Sequence, residues 1–527
     1  MAMPWKFAPG LIATIPEGST PAAVERALAS WALTAATDWT WIDPPSAIDW
    51  RPEQRILLDQ VAELRRDAIG MLEGGTGIGK TRAFAWLASA ADQRVVIAVP
   101  TLSIGSQWIE AWKLFCDAPL AQAWGRSHYS DNEALAIELQ DQALQAAGAA
   151  RAVLCTHQMI PKVLEAASSP SMLLVDEAHL LSASMAGLAG KFVPAAVLGP
   201  WITRWCNQQT LPGADDEEIE LGGRMRELVV RRLVPQPEQH QTWRASVVTR
   251  QGGEPLLWVR HAGSVDTVLQ QLWARVSQAV LFSGTLSWQT YAGVRTLQHQ
   301  ARRLAIPAAR LQDLGRVRAE WRDEGVTVLR PAREQGVDGK AWLGAYRGRE
   351  EIWWPEAADA ILDFKGRGGK TLVLANSYAD IAGIAEAMGK TTGVVVAEKG
   401  MPMDEQAKKF ARKTAWCWLA TGAAWTGMDT NVPLQRVVIT KLPLPDPQAM
   451  RLLAHPQDAV YDAVARLRQG VGRLVRAAGG TGLEIVIMDG RINDLRPRWR
   501  TICQPFMQVL GEEFETHGIF VRSPNNG

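Results

Sequence analysis

Short runs of apolar and β-branched residues recur along the chain, and longer segments with helical periodicity separate them. Each run is almost continuously hydrophobic, which is typical of parallel strands covered on both faces. Strands that alternate with helices predict an α/β fold built on parallel sheets. The runs form two sets, at 68–72, 94–100, 150–156, 171–177 and 278–284, and then at 370–377, 392–398, 414–421, 435–441 and 483–490.

The two sets predict two α/β units in tandem, with two insertions in the first unit. The insertion at 104–149 has a helical pattern, whereas the insertion at 183–276 is more polar and contains two strand-like segments, QTWRASVVTR and PLLWVRHA. Residues 1–49 are rich in Pro and Trp, and we interpret them as an N-terminal extension. The first unit is assigned to 50–103, 150–182 and 277–310, and the second to 311–527.

Composition narrows the class of protein. The chain has 527 residues, and 47% of them are hydrophobic, enough for several cores. Its 56 basic and 55 acidic residues nearly cancel, so nucleic-acid contacts would have to come from local patches. Five scattered cysteines without CxxC spacing favour free thiols in a reducing compartment. Without a signal-peptide pattern or an 18-residue apolar run, we expect a cytoplasmic protein with no membrane contact.

The segment GGTGIGKT follows an apolar run and precedes a helical one, which is the context of a phosphate-binding loop. Glycines let backbone N–H groups approach phosphate oxygens at a helix N-terminus. Lys80 would contact the β- and γ-phosphates of ATP, and the Thr81 hydroxyl would bind Mg²⁺. The alternative is a glycine-rich turn that matches by chance. The predicted ATP-binding residues of the loop are Gly74, Gly75, Thr76, Gly77, Ile78, Gly79, Lys80 and Thr81.

A second signal is SMLLVDEAHLL, where carboxylates follow an apolar strand. Asp176 at the carboxyl end of that strand is a predicted Mg²⁺ ligand. Glu177 is the predicted general base that orients and deprotonates the attacking water. His179 would couple the nucleotide site to a neighbouring motif, unless it is a structural histidine.

A third signal is RLRQGVGRLVR, in which Gln469, Arg473 and Arg476 are spaced by four and three residues. On a helix these three side chains would share one face. We predict that they act on the γ-phosphate from the opposite unit. The alternatives are a solvated basic face or a contact to a nucleic-acid backbone.

These segments, in this order, resemble motifs of the XPD/DinG branch of superfamily 2 helicases. Further matches support the resemblance, which covers roughly residues 50–495. They are WRPEQ at 50–54, LFSGTLS at 281–287, ATGAAWTGMD at 420–429 and KLPLPDP at 441–447. The resemblance implies two tandem RecA-like parallel-sheet domains, ATP and Mg²⁺ as cofactors, and 5′-to-3′ movement on single-stranded DNA by a monomer.

The resemblance also implies roles for individual residues. Gln54 would contact adenine, Thr285 would couple the nucleotide site to DNA binding, and Gly427 and Asp429 would lie at the nucleotide. Short hydroxyl side chains after strands suit phosphate oxygens of a DNA backbone. The predicted DNA-binding residues are Thr101, Ser103, Thr156, His157, Ser377, Tyr378 and Trp425. For each of them a helix cap or an ordinary packing role is the alternative.

In the family the two insertions correspond to an iron–sulfur domain and an arch domain. Here residues 104–149 contain only Cys116, and Cys155 lies just beyond. Two thiolates cannot form the four-cysteine site of an iron–sulfur cluster. We therefore predict a vestigial first insertion without a cluster, and an arch-like second insertion.

The missing cysteines and the short first insertion also resemble the DinG-type helicases of type IV CRISPR systems. That narrower resemblance implies a CRISPR ribonucleoprotein as partner and a role in interference. Two other functions stay open at this point. One is an ATP-gated clamp or remodeller that grips nucleic acid without unwinding it. The other is a DinG-type repair helicase without a CRISPR role.

Overall fold

A computed structural model describes most of the chain from residue 48 onward. The structure describes residues 48–75, 77–167, 171–186, 188–194, 229–231, 243–249, 255–261, 264–289, 295–318, 325–331, 350–426, 432–444, 456–474, 482–493, 503–510 and 516–520. The predicted extension at 1–49 therefore lies almost entirely outside the described residues.

The strands are β1 Ile69–Gly74, β2 Val95–Val99, β3 Ala121–Ala123, β4 Ala152–Thr156, β5 Ser171–Asp176, β6 Gly190–Pro194, β7 Trp243–Thr249, β8 Pro255–His261, β9 Val276–Ser283, β10 Trp288–Gln289, β11 Arg295–Thr296, β12 Leu311–Val317, β13 Val326–Pro331, β14 Thr371–Leu374, β15 Val394–Val396, β16 Cys417–Ala420, β17 Arg436–Ile439, β18 Leu483–Ile487 and β19 Thr516–Phe520. The helices are α1 Pro52–Ala62, α2 Lys80–Ala90, α3 Leu102–Trp112, α4 Arg126–Tyr129, α5 Glu133–Ala149, α6 Ile160–Glu165, α7 Leu181–Ala186, α8 Ser264–Arg275, α9 Gln298–Arg303, α10 Glu350–Asp363, α11 Tyr378–Ala387, α12 Met403–Ala411, α13 Ala423–Thr426 and α14 Pro456–Val471.

Two seven-stranded sheets organise the molecule, and every pairing within them is parallel. The first has the order β12-β1-β9-β5-β2-β4-β3, and the second β15-β16-β14-β17-β18-β13-β19. Apolar cores cover both faces of each sheet. The near-continuous hydrophobicity of the central strands follows from this double burial. The predicted α/β fold with two tandem parallel-sheet domains is confirmed.

Two strands of the first sheet lie outside the boundaries that the sequence suggests. β12 pairs with β1, although we placed the start of the second unit at residue 311. β3 pairs with β4, although it lies inside the predicted insertion at 104–149. Both are edge strands with partly exposed side chains, so neither has the continuous apolar run used to detect the others. Helix α5 of this segment packs on β3, so the segment is integrated into the first domain.

The described part of the second insertion contains a separate antiparallel sheet of order β6-β8-β7. The two predicted strand segments form β7 and β8, which pair along their whole length from Trp243↔His261 to Thr249↔Pro255. Helix α8 then leads back into β9 at the centre of the first sheet. The identities of both insertions as family domains stay predictions. No helix in the described ranges has the length and apolarity needed to cross a bilayer.

Candidate nucleotide site between the two domains

The phosphate-loop sequence connects β1 to α2. Gly77 and Gly79 both adopt a φ of +84°, a left-handed conformation that favours glycine. A Cβ on Gly79 would clash with the amide of Gln54, so a side chain there would displace the Gln54 side chain from the loop. Lys80 Nζ donates to the carbonyl oxygens of Gly74 and Gly75, at 3.0 and 3.1 Å. The loop thus holds its ammonium group beside its own backbone, where a polyphosphate would meet both.

Residues at the start of α1 brace this loop. Gln54 is buried; its Oε1 accepts from Arg51 N at 3.0 Å, and its Nε2 donates to Gly79 O at 3.1 Å. The Arg51 guanidinium donates to Gly77 O at 2.8 Å. Because the Gln54 amide is already bonded to the loop, its direct effect is to hold the phosphate-binding loop in place. The predicted contact of Gln54 with adenine stays a prediction.

Asp176 ends β5 and is buried beside the loop. Its Oδ2 accepts from Trp108 Nε1 at 2.9 Å, and its Oδ1 accepts from the backbone N of Glu177 at 2.9 Å. Burial, and then the neighbouring charge of Glu177, raise the pKa of Asp176 to about 6, while the nearby Lys80 acts in the opposite direction. Lys80, the residue before Thr81 at the start of α2, is close enough to act on this desolvated carboxylate, and a carboxylate with a hydroxyl is a donor set of the kind that Mg²⁺ prefers.

Glu177 stands in the left-handed region with a φ of +48°, a strained conformation for a residue with a side chain. Its Oε2 accepts from Ser283 Oγ at 2.7 Å, at the end of β9. It also accepts from Gln469 Nε2 at 3.1 Å, on helix α14 of the second domain. The carboxylate of the predicted general base therefore lies at the junction of the two domains.

His179 completes a closed ring of hydrogen bonds. Its Nε2 lies 3.4 Å from Gln469 Nε2, and its Nδ1 lies 2.8 Å from Ser283 Oγ. Burial is the largest effect on the pKa of His179 and lowers it, which favours the neutral ring. Gln469 can then donate to Nε2, Nδ1–H to Ser283, and the Ser283 hydroxyl to Glu177. In this arrangement each N–H or O–H hydrogen makes one bond, and the Glu177 carboxylate is the final acceptor.

Arg473 reaches the same junction from the second domain. It is buried, and its Nε has no hydrogen-bond partner within the described ranges. Burial lowers the pKa of Arg473 to about 10, and the charge of Glu177 raises it. The group stays protonated at neutral pH. An incompletely bonded cation within electrostatic reach of Glu177 suits an anion such as the γ-phosphate of ATP.

Arg468 forms a further link between the domains. Its Nη1 donates to Ser287 O at 3.0 Å, and it lies 3.8 Å from Glu73 Oε1, one residue before the phosphate loop. Glu73 also accepts from Ser287 N and pairs with Arg316 of β12. A buried carboxylate in β1 is thus shared by arginines of both domains.

Comparisons with known proteins match both parallel-sheet domains. The family model of the type III restriction enzyme res subunit matches residues 47–199, and that of the helicase C-terminal domain matches residues 363–505. A solved XPD helicase superposes with a TM-score of 0.56 at 14% identity, covering 90% of this chain and 100% of the other. The S. tokodaii Xpd4 structure gives a TM-score of 0.52 at 13% identity, covering 89% and 99%. At these identities the structures show the fold alone.

Two curated relatives carry the sequence likeness. The ATP-dependent DNA helicase YoaA of Haemophilus influenzae is 29% identical over 138 residues, covering 24% of this chain and 21% of the relative. Its Escherichia coli counterpart is 30% identical over 142 residues, covering 24% and 22%. The chain is thus similar to XPD/DinG-like superfamily 2 helicases in part of its sequence and in its fold. It aligns with only about a fifth of the length of these curated relatives.

In this XPD/DinG-like chain, five of the predicted DNA-binding residues lie near the carboxyl ends of parallel strands, and four of these begin helices. Thr101 is exposed and caps α3, accepting from Ile104 N at 3.4 Å. Ser377 occupies the corresponding place after β14 and caps α11, accepting from Asp380 N at 3.1 Å. The other three are the exposed Ser103 and Tyr378 and the half-buried Thr156. Their contact with DNA stays a prediction.

The structure does not place the other two at a surface. His157 is buried, and its Nε2 lies 2.9 Å from the carbonyl oxygen of Asp176, so it fixes β4 to the end of β5. Trp425 is buried in the core of the second domain, where its Nε1 donates to Ala375 O at 2.8 Å. The predicted direct contacts of these two side chains with DNA are therefore corrected to structural roles.

The helical face predicted for the third motif is also corrected. Helix α14 ends at Val471, and Arg473 lies in the turn that follows, where its N–H donates to Gly470 O. Gly470 and Gly472 weaken helix propagation at this point. Arg473 nevertheless lies within electrostatic reach of Glu177, and its predicted action on the γ-phosphate stays a prediction. Thr76, Gly427, Asp429 and Arg476 lie outside the described residues.

Three contributors to the site were missed from the sequence. Ser283 lies in the SGTLS segment already identified, so its hydroxyl could have been proposed as a partner of Glu177. Arg468 precedes Gln469 in a segment whose other polar residues were assigned. Trp108 gives no local signal, because a tryptophan in an amphipathic helix predicts only packing.

The two cysteines near the first insertion lie in different surroundings. Cys116 packs against the core on one face of the first sheet, and Cys155 is buried in β4 on the opposite face. Burial raises the pKa of Cys155 far above its usual value, so it is held as a thiol. Within the described ranges, no three His, Cys, Asp or Glu side chains are grouped as metal ligands. The absence of an iron–sulfur cluster stays a prediction.

Proposed function

We propose that this chain is an ATP-driven motor that moves along single-stranded DNA and separates duplexes in the 5′-to-3′ direction. One observation carries the proposal: Gln469 of the second domain bonds Glu177 of the first, and the charge of Glu177 also acts on the buried Arg473 of the second domain. A site assembled from both domains works only when the cleft closes. Hydrolysis can then alternate with opening, which is the requirement for a motor.

The residues suit hydrolysis of the terminal phosphate. Glu177 accepts a proton from the water that attacks the γ-phosphorus, and the bond between that phosphorus and the β–γ bridging oxygen breaks. Arg473 stabilises charge on the transferred phosphoryl group, and Lys80 binds the phosphate oxygens. Gln469 and Ser283 hold the Glu177 carboxylate in place. Mg²⁺, when bound by Thr81 and Asp176, would neutralise phosphate charge.

The direction and substrate rest on the family resemblance and on the exposed strand ends. Thr101 and Ser377 begin helices at equivalent edges of the two sheets. Both positions can therefore offer hydroxyl and N–H groups to the phosphate oxygens of a DNA backbone. Contacts restricted to the backbone predict weak sequence preference and strong dependence on salt.

The first test is the ATPase rate with and without single-stranded DNA, for wild type and Lys80→Ala. We expect stimulation by DNA in the wild type. Because Lys80 is the ammonium held at the loop, its loss lowers the stimulated rate at least about 100-fold. Lys370→Ala is the matched control, since this lysine caps backbone carbonyls in the second domain, outside the cleft. A wild-type rate in Lys80→Ala contradicts the proposed site.

The second test separates unwinding from gripping. Duplexes with a 5′ tail or a 3′ tail are incubated with enzyme and ATP, and strand release is measured. Release from the 5′-tailed duplex alone supports the proposed direction. DNA-stimulated hydrolysis without release from either substrate supports an ATP-gated clamp instead.

We also propose that the motor serves a type IV CRISPR ribonucleoprotein. Its support is the cysteine-poor segment 104–149, which resembles the DinG-type proteins of those systems. In a plasmid-loss assay with a reconstituted effector, wild-type protein should promote loss and Lys80→Ala should not. Equal plasmid loss without the helicase favours a repair role.

A further inference from the structure

Trp425 lies where three parts of the second domain meet. It belongs to the short helix α13, which packs against α14, and its side chain is almost completely buried in the same core as Leu374 and Val471. The indole is therefore remote from solvent but adjacent to the helix that carries Gln469. Two contacts distinguish it from an ordinary core residue: a hydrogen bond from the indole N–H to Ala375 and a close approach of the ring to Gly470.

The polar end of the indole is bonded to the strand end that leads into α11. Trp425 Nε1 donates to Ala375 O at 2.8 Å, two residues before Ser377. Asn376, between them, donates from Nδ2 to Leu442 O at 2.9 Å. The side chains of Trp425 and Asn376 thus hold the segment that leads into α11, and the bond from Trp425 is the more deeply buried of the two.

The apolar end of the indole lies against the backbone of α14. A Cβ added to Gly470 would lie 2.8 Å from Trp425 Cε3, 3.0 Å from Cζ3 and 2.9 Å from Leu374 Cδ1. The ring therefore touches the helix immediately beside Gln469 and one turn before Arg473. Only a residue without a side chain fits between ring and strand.

We propose that Trp425 is a positioning residue that couples the start of α11 to the nucleotide-facing end of α14. This inference rests on the proposed function, in which α11 begins at bound DNA and α14 carries Gln469 and Arg473. A rigid ring in a close-packed core transmits a small shift of one element to the other. Trp425 would then transmit the binding of single-stranded DNA to the ATP site and raise the rate of hydrolysis, although it contacts neither DNA nor ATP.

The test compares two conservative substitutions in one core. Trp425→Phe keeps an aromatic ring but removes the indole N–H that bonds Ala375. Trp418→Phe makes the same chemical change at another fully buried position of that core, where the indole Nε1 has no hydrogen-bond partner among the described residues. The ATPase rate is measured with and without saturating single-stranded DNA, together with the Tm of each variant.

We expect Trp425→Phe to reduce the stimulation ratio roughly 3- to 30-fold, the range of coupling changes produced by residues that contact neither ligand. The rate without DNA stays within about twofold of wild type, and Trp418→Phe keeps the full ratio. Equal ratios for the two variants, at equal Tm, overturn the inference. Absence of stimulation in wild-type protein overturns the proposed function itself, so the two failures are distinguishable.

Gly470→Ala provides a second variant that does not depend on the indole N–H. Its methyl group forces the ring or the helix to move, and we expect the same loss of stimulation. In the double variant the two losses should not add, because both break one connection. Additive losses would show that Gly470 and Trp425 act separately, which overturns the coupling through the ring.

Discussion

The contacts that cross between the two domains form an inner and an outer group. In the inner group, the buried Gln469 donates from Nε2 to Oε2 of the half-buried Glu177 at 3.1 Å, and the buried Arg468 donates to Ser287 O at 3.0 Å. In the outer group, Arg303 makes two bonds to Asp462, at 2.7 and 3.2 Å. The rings of His299 and Tyr461 stack there with centroids 3.4 Å apart.

The groups differ in what they contact. Every inner contact involves a loop or side chain adjacent to the phosphate cradle, so it can report or control the state of the nucleotide. The outer contacts join α9 to α14, and the Asp462 side chain is 44% exposed, so solvent screens its attraction to Arg303. The inner group should therefore determine the rate of hydrolysis, whereas the outer group should only bias closure.

Arg473 gives the largest expected effect. Arg473→Ala removes the cation that we propose acts on the γ-phosphate, and we expect kcat for ATP hydrolysis to fall about 10³-fold or more. Arg473→Lys keeps the charge but not the planar fork, and should recover only part of the rate. Because the Nε of the buried guanidinium has no hydrogen-bond partner among the described residues, the nucleotide-free alanine variant should be no less stable in thermal unfolding. An ATPase rate near wild type in Arg473→Ala contradicts the inner group's role.

Gln469 comes next. Gln469→Ala removes two hydrogen bonds that hold Glu177 and His179, and we expect kcat to fall roughly 10- to 100-fold because the general base is misplaced rather than lost. Gln406→Ala is the control, since Gln406 is also buried in the second domain but bonds only Met401 O among the contacts described. Steady-state kinetics in saturating DNA measure both. Similar losses in the two variants would indicate general damage to the second domain.

The sequence predicted the central strands, the phosphate-loop segment and some polar residues of the cleft, among them Glu177 and Gln469, because each has a local signature. β1, β5 and β9 are apolar runs closed by Gly74, Asp176 and Ser283. Gly77 and Gly79 are needed because the loop backbone has a positive φ at both positions. Such a local requirement can be recognised in a short segment of sequence. The edge strands β3 and β12 carry no such pattern, since exposure on one side relaxes the demand for apolar residues.

The roles of Trp425 and His157 could not be derived in the same way. A tryptophan in a glycine-rich motif suits either base stacking or packing, and only the tertiary contacts with Ala375 and Gly470 distinguish them. His157 likewise follows a strand, where exposure is usual, yet it turns inward to the carbonyl of Asp176. The bond from Trp108 to Asp176 joins residues 68 positions apart, a separation at which one sequence carries no readable correlation.

Arg303 offers the smallest effect and the most direct test of the comparison. Arg303→Gln removes the outer ion pair, which at this exposure stabilises the closed form by about 0.2–1 kcal/mol. We expect kcat to stay within about twofold of wild type, while KM for ATP rises by up to about fivefold and less so at high salt. Arg295→Gln is matched, since Arg295 pairs with Asp313 at 2.7 Å within the first domain alone and should leave both constants unchanged. A kcat loss in Arg303→Gln as large as that in Gln469→Ala would show that the outer contacts also control hydrolysis, and the distinction between the two groups would then be wrong.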